Sequence, residues 1–346
     1  MSLLDELNQK AMALGVPLSA QLDITWRCNE NCVHCYLDHH GLGEMNTAEI
    51  KDVIRQLAES GVLFLSISGG EPLLRQDCFE ILEYARAQHF NVKLKTNAVL
   101  IGPREAERLR QIGIEQIQVS IYSHRAEVHD GITKLPGSLD RSLAAIRHLK
   151  SQGLKVSITN VLMQQNLSDA VAVHRLAKEL GVGFVIDPTI TPKLNGDVSI
   201  VKLGLPESAL KDVFRTEEFV GNVREFCAPR ATVDDAVLDD YTCSAGHTSC
   251  YVSPSGDVYP CVQFPLPCGN LRKQTFREIW QESAALVQIR SIVTRDLPTC
   301  SKCIHVAYCT RCPGLAYMEG DVLGSSTADC TKAFARTGQI ARKIPG

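Results

Sequence analysis

The chain has 346 residues, of which 45% are hydrophobic and 22% charged, with a formal net charge of -3. This length accommodates one large domain and a smaller one, and the composition is that of a folded globular protein. Neither a dense Lys/Arg run nor an apolar stretch of membrane-spanning length occurs, so no nucleic-acid or membrane partner is expected. Residues 1–15 carry acid side chains before the first lysine, which predicts a surface helix, not a secretion signal, and a cytoplasmic protein.

Between residues 20 and 190, β-branched apolar runs alternate with helical patterns. The predicted strands are 21–25, 62–68, 91–96, 116–121, 155–161 and 183–187, and the predicted helices are 47–59, 78–88, 103–111, 138–152 and 169–180. Repeated β-then-α units with nearly continuous apolar strands indicate a parallel sheet covered by helices. Six strands can form an incomplete barrel or an open doubly wound sheet. In both, ligands bind at the carboxyl ends of the strands.

The alternation of predicted strands and helices stops after residue 190. Residues 191–242 are predicted to connect the first domain to a loop-rich region, 243–346, with short strands at 249–252 and 258–261 and a helix at 276–285. So small an apolar core predicts that metal stabilises the C-terminal region.

The fourteen cysteines are distributed unevenly, with three at Cys28, Cys32 and Cys35 and ten from Cys227 to Cys330. Structural disulfides are rare in cytosolic proteins, so metal ligation is the expected role. The spacing C-x-x-x-C-x-x-C offers three thiolates, whereas a 4Fe–4S cluster normally takes four. In a cluster held by only these three thiolates, one iron would lack a cysteine ligand and keep an open coordination site. The alternatives are three buried thiols, or a zinc site completed by His34 or a distant residue.

Small polar residues follow the next three strands. They are Ser68 with the run Gly69-Gly70-Glu71-Pro72, then Thr96-Asn97, then Ser120. Glycines at a strand end allow a ligand to approach the backbone, and a carboxylate there can receive an ammonium group. Ordinary turns and helix caps are the structural alternatives.

Taken together, these residues resemble the radical S-adenosylmethionine (radical SAM) superfamily over about residues 20–190. The resemblance implies that Cys28, Cys32 and Cys35 hold a 4Fe–4S cluster whose open iron chelates the methionyl group of S-adenosylmethionine. It further implies that Gly69, Gly70 and Glu71 bind the methionyl ammonium, that Asn97 and Ser120 contact the methionine or ribose, and that His34 packs by the adenine. The family often has Ser-x-Asp after strand four, whereas Ser120 is followed here by Ile121 and Tyr122.

The C-terminal cysteines are similar to the SPASM extension of radical SAM peptide maturases, which normally carries two further 4Fe–4S clusters. The resemblance implies that the first is bound by Cys243, Cys250, Cys261 and Cys312, and the second by Cys300, Cys303, Cys309 and Cys330. Cys268 is an alternative to Cys250. A pair of zinc sites is the alternative to clusters. Cys78 and Cys227 are expected to serve packing.

The sequence thus predicts an α/β fold, a partial (β/α)6 TIM-like barrel followed by a small cysteine-dense SPASM domain, with three 4Fe–4S clusters in all. The implied activity is reductive cleavage of S-adenosylmethionine to a 5′-deoxyadenosyl radical, which abstracts hydrogen from the substrate. His124, the pair His129-Asp130, and Asp187 are also expected to face the active mouth, either as substrate contacts or as structural groups.

The expected substrate is a ribosomally made peptide or protein side chain, and the alternative is a tetrapyrrole. Only 27 residues precede Cys28, too few for a leader-binding domain there, so a peptide substrate is expected either to need a separate leader-binding protein or to dock directly. A reductant such as flavodoxin or ferredoxin is another expected partner. A non-catalytic iron–sulfur electron carrier is the alternative of a different class, although such a carrier has no use for a methionine site.

Overall fold

A computed structural model describes residues 3–37, 43–228 and 238–337. Over these ranges nine strands form one sheet in the order β6-β5-β4-β3-β2-β1-β7-β8-β9. Strands β1 to β6 pair in parallel, β7 pairs in parallel with β1, and β8 and β9 continue antiparallel. The strands are β1 Ser19–Asp23, β2 Phe64–Ser68, β3 Asn91–Thr96, β4 Gln116–Ser120, β5 Val156–Val161, β6 Gly183–Asp187, β7 Ser249–Val252, β8 Asp257–Tyr259 and β9 Gly269–Asn270.

Helices follow the parallel strands and cover one face of the sheet. In chain order they are α1 Leu3–Leu14, α2 Thr47–Glu59, α3 Cys78–Ala87, α4 Pro103–Ile112, α5 Ala126–Thr133, α6 Ser138–Ser151, α7 Ala170–Leu180, α8 Glu207–Phe214, α9 Glu217–Val220, α10 Val223–Phe226, α11 Phe276–Glu282, α12 Ala284–Arg290, α13 Pro313–Met318 and α14 Thr327–Thr337. In the part of the chain with described coordinates, no helix combines the length and apolar character needed to cross a membrane.

The two faces of the sheet differ in chemistry, because successive side chains of a strand point to opposite sides. Leu22, Ile67 and Leu94 are buried in the main apolar core beneath the helices. On the other face, Lys95 Nζ of β3 donates to Gln21 Oε1 of β1 at 2.7 Å, reaching past β2. A contact between strands two apart means that this face is concave, as in a partial barrel.

The predicted α/β partial barrel is confirmed, and most of its elements lie within two residues of their predicted bounds. The prediction of nearly continuous apolar strands is wrong, because polar residues alternate with apolar ones and line the concave face. The predicted helix at 276–285 is two helices, since Ser283 between them has extended backbone (φ -60°, ψ 118°).

The C-terminal region does not stand apart from the sheet. Strand β7 lies against β1 with Cys250 opposite Ala20, so it covers the free edge of the barrel strands. An uncovered edge strand exposes unpaired N–H and C=O groups, which explains why this long-range pairing stabilises the fold. The boundaries at residues 190 and 242 remain a prediction.

Candidate functional site

The three N-terminal cysteines lie on the loop that follows β1, at the carboxyl end of the parallel strands. The amides of Asn31 and Val33 in this loop donate to carbonyl groups at the end of α5, at 2.9 and 3.0 Å. The loop is therefore tied to a helix that follows β4, and its thiols face the mouth of the barrel.

All three thiols are half-buried and close enough to influence one another. Burial raises the pKa of Cys28 to about 12 and that of Cys35 to about 11, with smaller contributions from neighbouring charges. The pKa of Cys32 is raised as well, by burial first and then by Glu30. These raised pKa values favour the protonated thiols, so metal binding must release their protons. Clustered thiolates are the donors that iron–sulfur clusters take, so the loop fits one.

The glycine turn after β2 is pressed against the start of the cysteine loop. Gly70 N donates to Thr25 O, and Glu71 N to Arg27 O, both at 2.8 Å. A Cβ atom on Gly70 would lie 2.2 Å from Arg27 O, and Gly69 has a φ of +139°. Only glycine allows so close an approach, so these two positions determine where the cysteine loop begins.

Glu71 is fully buried, and both of its carboxylate oxygens are used inside the fold. They accept from Thr96 Oγ1 at 2.9 Å, from Asn97 N at 2.9 Å and from Leu73 N at 3.1 Å. Burial raises the pKa of Glu71 to about 7. The carboxylate thus joins the ends of β2 and β3, a structural duty that the sequence did not indicate, and its contact with an ammonium group remains a prediction.

Asn97 lies against the cysteine loop, as predicted for a residue of the same site. Its Nδ2 donates to Asn29 Oδ1 at 2.9 Å and is 3.9 Å from Cys28 Sγ. The strand-three tip and the cysteine loop therefore meet at one point.

His34 packs against the tip of β4. Its ring lies edge-on to Tyr122 with centroids 4.7 Å apart, and Tyr122 stacks on His129 at 5.5 Å. Burial lowers the pKa of His34 to about 4, so its imidazole is neutral. Tyr122 thus supplies an aromatic wall where the family often has Asp, and Ser120 ends the same strand, half-buried.

The other polar residues expected at the mouth are His124, His129, Asp130 and Asp187, and the last three have hydrogen-bond partners within the fold. Tyr122 N donates to His129 Nδ1 at 3.1 Å, and Asp130 accepts from Gly137 N at 2.6 Å at the start of α6, so both have structural partners. His124 is exposed. Asp187 ends β6, accepts from Thr189 N at 2.9 Å, and has its pKa raised by burial.

A network on the concave face was missed from the sequence. Asp23, fully buried at the end of β1, accepts at Oδ2 from the hydroxyl groups of Tyr36 (3.1 Å) and Tyr251 (3.0 Å), and at Oδ1 from Gln21 Nε2 (3.0 Å). Tyr36 follows Cys35 and Tyr251 lies on β7, so Asp23 connects the cysteine loop to the C-terminal region. The alternating polar residues of β1 were the signal that could have revealed it.

The second C-terminal set of cysteines converges on one cavity of about 290 Å³. Its lining includes the thiol-bearing residues Cys300, Cys303, Cys309 and Cys330, together with His305 and Arg311. Four thiols around one cavity are the donor set that a 4Fe–4S cluster requires.

The first C-terminal set is brought together only in part. Cys243 and Cys261 pack in one small apolar cluster, and both lie within electrostatic reach of Cys312, whose pKa burial raises to about 11. Cys250 and the alternative ligand Cys268 are instead buried in the main core, with Cys250 in reach of Cys261. All four ligands of this set therefore remain predictions, and the structure does not distinguish Cys250 from Cys268 as the fourth.

Over the described ranges, no group of three or more His, Cys, Asp or Glu side chains is positioned to hold a single metal ion. A cubane distributes its four thiolates over four irons, so its ligands need not share one centre. The thiol sets can therefore hold a cluster without forming a site for a single ion, and iron analysis tests this directly.

Comparison with known proteins defines the class to which this fold and site belong. The family model of the radical SAM superfamily matches residues 22–183, and that of the SPASM iron–sulfur cluster-binding domain matches residues 243–313. An AdoMet-dependent heme synthase of Methanosarcina barkeri is 32% identical over 325 residues, covering 87% of this chain and 93% of that protein. Mycofactocin maturase MftC of Mycobacterium tuberculosis is 28% identical over 342 residues, covering 95% and 86%.

Among solved structures, Streptococcus suis SuiB bound to its precursor peptide SuiA has the same fold, with a TM-score of 0.75 at 20% identity over 94% of this chain and 78% of that one. The chain belongs to the radical SAM superfamily, in the branch that carries a SPASM iron–sulfur domain. It is therefore an enzyme, and the alternative of a non-catalytic electron carrier is set aside.

Proposed function

We propose that this enzyme holds three 4Fe–4S clusters and modifies a side chain of a ribosomally made peptide or protein. The convergence of the Cys28 loop, the Gly69–Gly70 turn and Asn97 at one mouth supports the site. The similarity to mycofactocin maturase along 95% of the chain supports the substrate class. When bound, the clusters and S-adenosylmethionine supply a reducing electron and a 5′-deoxyadenosyl radical.

In this proposal each residue set has one task. Cys28, Cys32 and Cys35 hold the cluster that meets S-adenosylmethionine, and flavodoxin or ferredoxin reduces it. Gly69, Gly70 and Glu71 shape the methionyl site, with Asn97, Ser120 and His34 around the rest of the molecule. The further clusters are held by Cys243, Cys250, Cys261 and Cys312, and by Cys300, Cys303, Cys309 and Cys330.

A tetrapyrrole substrate is the second candidate, because the heme synthase of Methanosarcina barkeri is 32% identical to this chain. The peptide remains first because mycofactocin maturase matches more of this chain, and because SuiB holds its precursor peptide on the same fold. We place the enzyme in the cytoplasm, where reducing conditions keep cysteines available as cluster ligands.

The experiment is iron analysis and S-adenosylmethionine cleavage after anaerobic reconstitution. We expect about twelve irons per chain, four for each cubane, and reductive release of methionine and 5′-deoxyadenosine. Replacing Cys28, Cys32 and Cys35 together with Ala should remove about four irons and all cleavage. Stoichiometric zinc with little iron would overturn the cluster assignment. Incubation with peptides encoded beside the gene, and separately with tetrapyrroles, then decides the substrate class by mass change.

A further inference from the structure

Lys95 is a cation on the concave face that forms no ion pair with any residue of the described ranges. It is half-buried on β3, and its one hydrogen bond within the described chain is to Gln21 Oε1. No carboxylate of the described residues lies within 4.0 Å of its ammonium, although Asp23 and Asp187 act on it from further away. Burial lowers the pKa of Lys95. An ammonium has three donors, so two remain available in a partly desolvated place.

The side chain of Gln118 lies beside Lys95, and no described residue uses its hydrogen-bonding groups. The two residues are register partners on β3 and β4, and partners in adjacent strands lie on the same face, about 4.8 Å apart. The Gln118 side chain makes no hydrogen bond to any described residue. One layer earlier, the equivalent pair is Lys93 and Gln116, where Gln116 Nε2 donates to Ser157 Oγ at 3.1 Å. The glutamine of that row therefore has a protein partner, whereas Gln118 has none among the described residues.

We propose that Lys95 and Gln118 bind a carboxylate of the substrate on the concave face of the barrel. An ammonium and an adjacent amide N–H are suitable donors for the two oxygens of a carboxylate, and the unpaired cation gives this face its preference for an anion. Lys95 lies on β3 two residues before Asn97, which follows the end of that strand. Its charge also acts on Cys261 of the C-terminal region. The site thus lies between the mouth and the C-terminal thiols, where a substrate would enter.

This inference rests on the proposed function, because it assumes that the substrate occupies this face. The carboxylate has two possible sources among substrates, the C-terminus or acidic side chain of a peptide and the acid side chains of a tetrapyrrole. A third source is the methionyl carboxylate of S-adenosylmethionine. Each source has its own arm in the experiment.

The first arm compares Lys95→Met with Lys93→Met as the matched control in the reconstituted holoenzyme. Both variants should keep their iron, their affinity for S-adenosylmethionine and their uncoupled release of 5′-deoxyadenosine within about twofold of the parent. A loss of about tenfold or more in Lys95→Met alone would mean that Lys95 binds the methionyl carboxylate, and would overturn the inference.

The second arm follows acetylation of Lys95 by an N-hydroxysuccinimide ester, measured by peptide mass spectrometry. The probes are an N-acetylated tripeptide acid against its C-terminal amide, and coproporphyrin against its methyl ester. One of the acids should slow acetylation of Lys95 about tenfold, its neutral derivative should not, and Lys93 should be unaffected. The acid that protects identifies the source. Equal protection by an acid and its neutral derivative, or no protection by any probe, would overturn the inference.

Failure of the proposed function and failure of this inference give different experimental results. Protection is measured without turnover, so the result does not depend on activity. An enzyme that lacks S-adenosylmethionine cleavage fails the proposed function, whereas one that cleaves S-adenosylmethionine and shows no acid-specific protection fails only this inference. Replacing Gln118 with Leu should weaken protection of Lys95 by the acid about threefold while its uncoupled cleavage remains.

Discussion

At the scale of single residues, Glu71 shows that a carboxylate proposed to bind a ligand also has a structural duty. Its oxygens hold Thr96 and Asn97 against the glycine turn, so the geometry of the proposed methionyl site depends on its acceptors. Replacement by Gln keeps the size but turns one acceptor into an N–H donor. A donor facing the Asn97 or Leu73 amide leaves a buried group unsatisfied.

We therefore expect Glu71→Gln to weaken S-adenosylmethionine binding by roughly ten- to a hundredfold, because hydrogen bonds to charged groups contribute about 1.5–3 kcal/mol. Iron content should not change, since no cluster ligand is touched. Isothermal titration of the reconstituted protein measures the affinity. An unchanged affinity would show that the turn tolerates the substitution and that the Glu71 charge has no part in binding.

The same carboxyl group predicts a pH dependence. Because burial raises the pKa of Glu71 to about 7, its carboxyl is protonated below that pH and loses an acceptor. The ionised fraction falls from about 90% at pH 8 to about 10% at pH 6, so affinity for S-adenosylmethionine should fall about ninefold over this range. In the Glu71→Gln variant this fall in affinity between pH 8 and pH 6 should disappear. Parallel pH profiles of the two proteins would show that another group titrates.

At the scale of secondary-structure elements, the site depends on three strand-end segments that contact one another. The glycine turn after β2 touches the start of the cysteine loop after β1, and Asn97 after β3 touches its middle. Parallel strands bring these ends to one edge. The turn and the loop approach so closely that a side chain at Gly70 has no room.

Gly70→Ala tests this contact. The added Cβ would lie 2.2 Å from Arg27 O, a backbone atom, so the turn and the cysteine loop must separate. We expect a stability loss of about 1–3 kcal/mol and the loss of about four irons after reconstitution.

Gly131→Ala is the control for that change, because a Cβ atom there meets nothing within 4 Å. It should keep full iron content and a melting temperature no lower than that of the parent, because alanine favours a helix more than glycine does. If Gly70→Ala retained all of its iron, the cysteine loop would be positioned without the glycine turn.

At the scale of the whole molecule, several contacts join the C-terminal region to the barrel, among them a strand pairing and a buried hydrogen-bond network. Strand β7 pairs with β1, and Tyr251 donates to Asp23 beside the Tyr36 hydroxyl. The thiol cavity of Cys300, Cys303, Cys309 and Cys330 lies further along, between short turns and α14. A cluster there would hold segments that few apolar contacts join.

Cys303→Ala should abolish turnover of the true substrate and lower the melting temperature, because metal binding in this region is coupled to folding. Uncoupled release of 5′-deoxyadenosine should partly survive, since the Cys28 loop lies elsewhere. Differential scanning calorimetry and product analysis give the two readouts.

Cys227→Ala is the matched control, because this half-buried thiol is outside the predicted ligand sets. It should retain iron and turnover. Full substrate turnover in Cys303→Ala would make the second auxiliary cluster dispensable and favour a zinc-like structural role.

Local patterns were enough for the barrel elements and for the location of the Cys28 loop, because apolar periodicity and ligand spacing are written in neighbouring residues. The glycines at residues 69 and 70 were likewise identified without coordinates, since only glycine permits such backbone proximity. Contacts between residues far apart in the chain could not be predicted from such local patterns. The pairing of β7 with β1 and the burial of Cys250 beside Cys268 join residues far apart in the chain. The pairing of Lys95 with Gln21 across β2, and the position of Gln118 beside it, are recognisable only once the sheet has curved, because a strand pattern does not say which polar side chains meet.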